Sequence, residues 1–348
     1  MRDQLENPWR GAGLGGLGPM PIATADGVAH LLASCPAHGV TPLIDAPELA
    51  RRVGCARVSV KDERSRMGLG SFKALGAAHA IARAAAETCE GGAWSEALSG
   101  RTFVTASAGN HGVSVAAGAR IFGARAVIYL SDTVPESFAA RLAAMNAEPV
   151  RAGATYEESM DAAARAAADH GWTLLSDSSW PGYTAWPLRV MEGYLQMAAE
   201  AAGQIAAPPT HVLLQAGVGG MAAAVAAHVR ATWGDAPKIV VVEPAAAPAL
   251  IESIRAGHIV ATDGPVSAMG RLDCKTASLI ALAGLARDAD LFLTLGEEEV
   301  AAAIADLAQI GLGTSPSGGA GLAALLAGYA PGPDARILAF LSEGAVDA

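Results

Sequence analysis

HVLLQAGVGGMAAAVAAHV, residues 211–229, is an apolar strand that runs into glycines at 217, 219 and 220 and then into an alanine-rich helix. The strand shows no polar alternation, the mark of a strand buried on both faces, and a buried strand that turns at once into a helix belongs to a parallel, helix-covered sheet. Working outward, the same unit recurs. RVSVKDE precedes a helix expected from about Phe72 to Cys89, RTFVTAS precedes one from His111, ARAVIYLS precedes PESFAARLAAM, and KIVVVEP precedes APALIESIRAG. This alternation predicts an α/β fold with twisted, mostly parallel sheets. Two sheets are expected, one carrying the loop SAGNHG (107–112), the larger carrying QAGVGG and the C-terminal strand, with a ligand cleft at their junction.

The 348 residues suit one large domain or two joined closely. A net charge of -10 with no clustered Lys and Arg argues against nucleic-acid binding, and the short, interrupted apolar runs argue against a membrane span. The first residues, MRDQLENPWRGAGLGG, show no signal-peptide core, so a cytoplasmic location is expected. Cys35, Cys55, Cys89 and Cys274 are widely spaced with no CxxC pair and no histidine at ligand spacing; they read as reduced thiols, and no metal site is expected.

Residues 68–77, GLGSFKALGA, set Lys73 among glycines and apolar residues with no acid beside it. Packed inside, such an amine is desolvated, its pKa falls, and it becomes a usable nucleophile; on a helix start, it would instead bury its stem and keep its head in water. The glycine turn after residue 215 lets backbone N–H groups converge on a phosphate at a helix N-terminus without positive side chains, which suits an acidic protein. It also satisfies a dinucleotide fingerprint through Gly217, Gly219 and Ala222, with Glu243 ending the next strand where a ribose-binding acid would sit, so an NAD-dependent oxidoreductase is a rival reading. The SAGNHG loop leaves bare backbone able to wrap a carboxylate, with Asn110 as a fixed donor or acceptor, or else as a residue of the helix start. The C-terminal strand ILAFLSEGAVDA ends in Ser342 and Gly344.

Together these pieces resemble the pyridoxal-phosphate enzymes of fold type II, the tryptophan synthase β-like group. Within it the chain is most similar to the 2,3-diaminopropionate ammonia-lyase family, through TPLIDAPELA (41–50), VSVKDERSRMGLGSFKALGAAHAIA (58–82), AGNHG (108–112), DSSWPGYTAWPLRVMEGY (177–194), THVLLQAGVGGMA (210–222), VVVEP (240–244) and LSEGAVD (341–347). The resemblance implies a large cofactor-binding domain from 1–87 and 187–348, a small domain from 88–186, and pyridoxal phosphate in the cleft between them. It assigns Lys73 to the cofactor aldehyde, Asn110 to its ring hydroxyl, Ser342 to its pyridine nitrogen and Gly217, Val218, Gly219 and Gly220 to its phosphate, with Phe72 and Met221 also lining the cofactor. A neutral hydroxyl leaves the pyridine largely unprotonated, a weaker electron sink that favours β-elimination over racemisation. Asp177 matches an acidic position near the substrate, to bind or protonate the departing β-amine; a turn or cap aspartate is the alternative. Ser107, Ala108, Gly109, His111, Tyr183 and Arg271 are the expected substrate contacts. The implied activity is elimination from a small β-substituted amino acid, 2,3-diaminopropionate to pyruvate and ammonia, by a homodimer.

This chain departs from the family pattern in two places. SAGNHG stands where those lyases carry TDGNHG, so the acid that would serve a D-substrate is Ala108 here, and the loop looks more like that of serine and threonine dehydratases; dehydration of a β-hydroxy amino acid is the second reading. AMGRLDCKTAS (268–278) is more charged than its family counterpart, and Arg271, Asp273 and Lys275 read either as recognition of a polar side chain or as a solvated loop.

Overall fold

The computed structural model describes residues 3–89 and 93–345. Residues 90–92 of the expected irregular connection CEGGAWSEALSG, and Val346 and Asp347 of the C-terminal motif, lie outside the described residues. The strands are β1 (Asp3–Glu6), β2 (Leu43–Asp45), β3 (Arg57–Asp62), β4 (Thr102–Ala106), β5 (Arg125–Leu130), β6 (Glu148–Arg151), β7 (Thr173–Leu174), β8 (His211–Gln215), β9 (Lys238–Pro244), β10 (Leu291–Leu295) and β11 (Arg336–Leu341). The helices are α1 (Asp26–Leu32), α2 (Pro47–Val53), α3 (Gly76–Thr88), α4 (Asn110–Ile121), α5 (Glu136–Ala144), α6 (Tyr156–His170), α7 (Ala185–Gln204), α8 (Gly220–Trp233), α9 (Ala249–Ala256), α10 (Leu279–Asp288), α11 (Glu297–Gln309) and α12 (Ala320–Leu326).

Seven strands form the larger sheet in the order β1-β10-β9-β8-β11-β3-β2, parallel except at its two edges, where β1 pairs antiparallel with β10 and β2 with β3. Four parallel strands form the smaller sheet, β6-β5-β4-β7, all from residues 102–174. The α/β class with fold-type-II architecture therefore holds. Past their first residues the central strands β8, β9 and β11 are buried throughout because helices cover both faces, which is why they read as largely apolar runs. One core lies under α3, α7, α8 and α10, a second under α2, α11 and α12, and a smaller one between β4, β5 and α6. Among the described residues no helix is long and apolar enough to cross a membrane, no group of side chains could hold a metal ion, and Cys35, Cys55 and Cys274 are free thiols.

A buried charge cluster stiffens the route from β3 to Lys73. Arg66, fully buried, donates to Glu63 and to Glu200 of α7, each at 2.7 Å, and Lys61 Nζ lies 2.7 Å from Glu200 Oε2. Two cations balance two carboxylates, so no charge is buried alone. Burial pushes the Glu200 carboxyl up, but Arg66 and Lys61 outweigh it and hold it at about 2. Since that folded value is depressed below 4.5, the stabilisation it brings is full above pH 4.5 and is lost as pH falls towards 2. Glu200→Gln is expected to cost about 3–5 kcal/mol, by leaving buried cations short of a counter-charge, and to flatten that acid limb. Denaturant titrations across that pH range check both.

Candidate active site

Lys73 sits in a single 3₁₀ turn, Phe72–Leu75, that leads into α3; Ser71 caps it by accepting the Lys73 amide at 3.3 Å. The end of β11 fixes this turn from below: Phe72 N–H donates to the Ser342 carbonyl (2.9 Å) and Gly344 N–H to the Gly70 carbonyl (3.1 Å). The ammonium points into the cleft between the two sheets and is ion-paired with Asp177, the two side chains 22% and 17% exposed. It lies 5.4 Å from the ring centre of Phe72 and 5.8 Å from that of Tyr194.

The expected fall in the Lys73 pKa is overturned. Burial pulls the amine down, but the Asp177 carboxylate beside it more than offsets burial and holds it above the usual lysine range. Asp177 shows the mirror effect: burial raises its carboxyl, while Lys73 and then His111 pull it well below the usual range. The cap alternative for Asp177 does not hold either, because α7 begins at Ala185 with Thr184 as its N-cap residue.

The glycine turn flanks this pair. Gly219 precedes α8 at φ +94°, a left-handed conformation that glycine takes without strain. A β-carbon on Gly217 would lie 3.0 Å from Cys274 Sγ and from the Leu272 Cα, so a side chain there would press on the neighbouring loop. Among the described residues, the amides of Gly217, Gly219, Gly220 and Met221 have no acceptor. Unpaired amides converging at a buried helix N-terminus, with no side-chain cap, are a cradle for an anion. Cys274, whose thiol burial pushes up to about 12, packs against the same turn.

On the small sheet's side, Ser107 Oγ accepts the amides of Gly109 (3.2 Å) and Gly112 (3.0 Å), shaping a loop in which the amides of Ala108, Asn110 and His111 are unpaired among the described residues. Asn110 is not a cap; its Nδ2 donates to Glu343 Oε2 at 2.5 Å. His111 is buried, its Nε2 2.8 Å from the Leu175 carbonyl, which ties the ring to the segment that leads to Asp177, and burial lowers its pKa. Tyr183 donates to the Leu174 carbonyl (2.7 Å) and accepts the Ser176 amide (3.1 Å), bracing the same segment. Ser342 is buried at the end of β11, and its hydroxyl has no partner among the described residues.

Of the charged side chains of the 268–278 loop, Arg271 reaches the cleft, where it bonds Glu343 Oε1 at 2.9 Å. Lys275 is spent on Asp273 and on the carbonyls of Ala246 and Pro265, a scaffold for its own loop.

Sequence reasoning missed four residues here: Glu343, Tyr194, Cys274 and Tyr156. Tyr194 is buried, with its hydroxyl unpaired among the described residues, and burial first of all pushes that phenol up to about 12. Tyr156, at the start of α6, is 49% exposed as a residue, but its phenol end is desolvated and its pKa is raised, with Asp177 adding to the rise. The acid in LSEG was the one legible signal, since an ionisable residue closing a strand beside a glycine loop is a site candidate.

The dinucleotide reading fails on Glu243. That carboxylate is fully buried and accepts the amides of Leu250 (2.7 Å) and Ile251 (2.8 Å) at the start of α9, so it caps a helix and faces no ribose.

Comparison with known proteins agrees with this geometry. The chain is 35% identical over 235 residues to diaminopropionate ammonia-lyase of Salmonella typhimurium, an alignment covering 63% of this chain and 58% of that one. It is 28% identical over 304 residues to the serine dehydratase-like protein of Mus musculus, covering 86% of each. Crystal structures of diaminopropionate ammonia lyase from Escherichia coli, in complex with D-serine and with an aminoacrylate-PLP azomethine reaction intermediate, superpose with a TM-score of 0.87 at 29% identity, over 98% of this chain and 93% of theirs. The chain spans 58% of the length of the Salmonella relative it matches, and 62% of that of its Escherichia coli (strain K12) counterpart. Residues 35–343 match the family described as pyridoxal-phosphate dependent enzymes. An amine in a cleft, a cradle of unpaired amides and a match over nearly the whole chain converge: this chain is a member of the pyridoxal-phosphate dependent enzyme family.

Proposed function

We propose that this enzyme eliminates the β-amino group of 2,3-diaminopropionate, giving pyruvate and ammonia. The observation that carries the reading is the Lys73–Asp177 pair beside the unpaired amides of the glycine turn. In this reading Lys73 takes the cofactor aldehyde. The amides of Gly217, Gly219, Gly220 and Met221 face the phosphate, while that of Val218, in the same turn, donates to the Cys274 sulfur; Asn110 faces the ring hydroxyl and Ser342 the pyridine nitrogen, with Phe72 as a wall. When bound, pyridoxal phosphate supplies a conjugated ring that accepts the electron pair left at Cα.

The rest is work for the chain's own residues. Unpaired amides of the 107–111 stretch offer a seat for the substrate carboxylate, with Ser107, Gly109 and His111 shaping it and Arg271 and Tyr183 at its margin. In the unloaded site Asp177 keeps Lys73 protonated; once a substrate α-amine has taken its place on the aldehyde, Asp177 again favours the charged form of the freed lysine unless a second ammonium arrives. A substrate β-ammonium competes for that carboxylate; once it is there, burial acts on Lys73 unopposed, lowers its pKa, and makes it a base for the Cα proton. The base thus forms only when the leaving group is in place. A neutral β-hydroxyl brings no such competition.

Ala108 supplies no acid on the other face of the substrate, so the L-isomer is the expected substrate and the D-isomer a poor one. Release of 2-oxo acid from L- and D-diaminopropionate, L-serine and L-threonine (pyruvate from the first three, 2-oxobutyrate from threonine), followed by reduction with NADH and lactate dehydrogenase, tests this. L-Diaminopropionate should be fastest; inert diaminopropionate with active serine would overturn the leaving group. That second reading, dehydration, is favoured by the Ser107–Ala108 departure and by the serine dehydratase-like relative. For the cofactor, Gly219→Ala would put a β-carbon 3.1 Å from Ala281 and Leu250 at φ +94°. Relief of about 1–2 kcal/mol of strain by a shifted turn should weaken cofactor binding roughly tenfold in an absorbance titration. The family resemblance also supports a homodimer in the cytoplasm; sedimentation at twice the chain mass is the expected result.

A further inference from the structure

Glu343 is the residue on which the cleft's two sides meet. Its backbone forms a bridge with Ser71, two positions before Lys73, and its carbonyl accepts the Thr314 hydroxyl at 2.6 Å. Its carboxylate is 4% exposed and satisfied by three donors from three segments: Asn110 on Oε2, and Arg271 and Ser315 on Oε1. Arg271 neutralises the charge, and Ser315 and the bridge fix the carboxylate, so its free oxygen has one orientation, towards the small-sheet loop. A carboxylate can only accept, so it compels the Asn110 amide to present N–H and not C=O. One amide hydrogen is thereby committed, and the second is left in a fixed direction.

We propose that Glu343 is a positioning residue that locks the Asn110 side-chain amide with its remaining N–H towards the cofactor ring oxygen, and in doing so ties the 107–112 loop to the larger sheet. This rests on the reading that Asn110 meets that ring hydroxyl. It also gives Arg271 a different task from recognising the substrate side chain: it holds the locking carboxylate.

Glu343→Gln discriminates well because it changes almost no volume. Arg271 and Ser315 both donate to one oxygen, so the glutamine carbonyl turns to them and its NH₂ faces Asn110. The Asn110 amide must then reverse, and its oxygen faces the cofactor. The expected result is a changed absorption band of bound pyridoxal phosphate and roughly tenfold to hundredfold weaker cofactor binding, the worth of a hydrogen bond to a charged group, with an unchanged circular dichroism spectrum. Asn110→Ala should give a similar change, and adding Glu343→Gln to it should give no further one. Glu343→Asp keeps the charge but withdraws the oxygen from Asn110, and should lose as much as Gln.

A wild-type band and affinity in Glu343→Gln, additive losses in the double variant, or full function in Glu343→Asp would each overturn the lock. If Asn110→Ala itself leaves the band and affinity unchanged, the assignment of Asn110 to the ring fails, and the lock with it. If Asn110→Ala alters them while Glu343→Gln does not, only the lock fails.

Discussion

Lys73→Ala is expected to reduce pyruvate release by about four orders of magnitude or more. General-base catalysis alone is worth roughly 10²–10⁴-fold, and in the proposed mechanism the same residue also carries the covalent attachment of the cofactor. Neither loss can be made good locally, since the nearest side chains to the amine are an acid and two aromatic rings. Borohydride treatment of the cofactor-loaded wild type should fix the cofactor to the peptide carrying Lys73, whereas the variant should bind it, through the glycine turn, without becoming labelled. Labelling of another lysine with retained turnover would remove Lys73 from the mechanism. The fold should survive, because the turn that carries residue 73 is held by backbone bonds to β11 and not by the amine.

Asp177→Asn should move two measurements in opposite directions. Turnover of diaminopropionate should fall by about 10²–10³-fold, since the group proposed to bind and protonate the departing amine has gone. Cofactor capture by the apoenzyme should at the same time extend to lower pH. Asp177 holds the Lys73 amine above its ordinary range against burial. Without that charge burial prevails, the lysine pKa falls, and more free amine is present at any pH below the wild-type midpoint. A mere loss of packing predicts no such shift. The variant should also lose an acid-dependent part of its stability: the Asp177 carboxyl is depressed below 3.8 in the folded state, so its contribution is full above that pH and disappears as pH falls below it. A pH profile of cofactor capture identical to wild type would show that the pair has no control over the amine.

Much of the site could be read from local sequence because its parts are local devices. A glycine turn between a buried strand and a helix must carry unpaired amides wherever it occurs, and the 107–112 loop and the turn bearing Lys73 are set by their own small residues. The acid at 343 was visible only as a character in the C-terminal motif. Its partners Asn110 and Arg271 lie 233 and 72 positions away, a juxtaposition no local pattern records. Glu243 misled for the same reason: at the end of β9 it has the spacing of a ribose ligand, and only the fold turns it onto the start of α9.

By itself the sequence determined the α/β class and marked out the glycine turn and Lys73 as candidates, since these follow from burial periodicity and from the backbone freedom of glycine, properties of neighbouring residues. The tertiary structure alone decided the electrostatics. Lys73 is held charged and not neutral because Asp177, 104 residues on, is brought against it, and a charge at contact distance in a dry cleft outweighs burial.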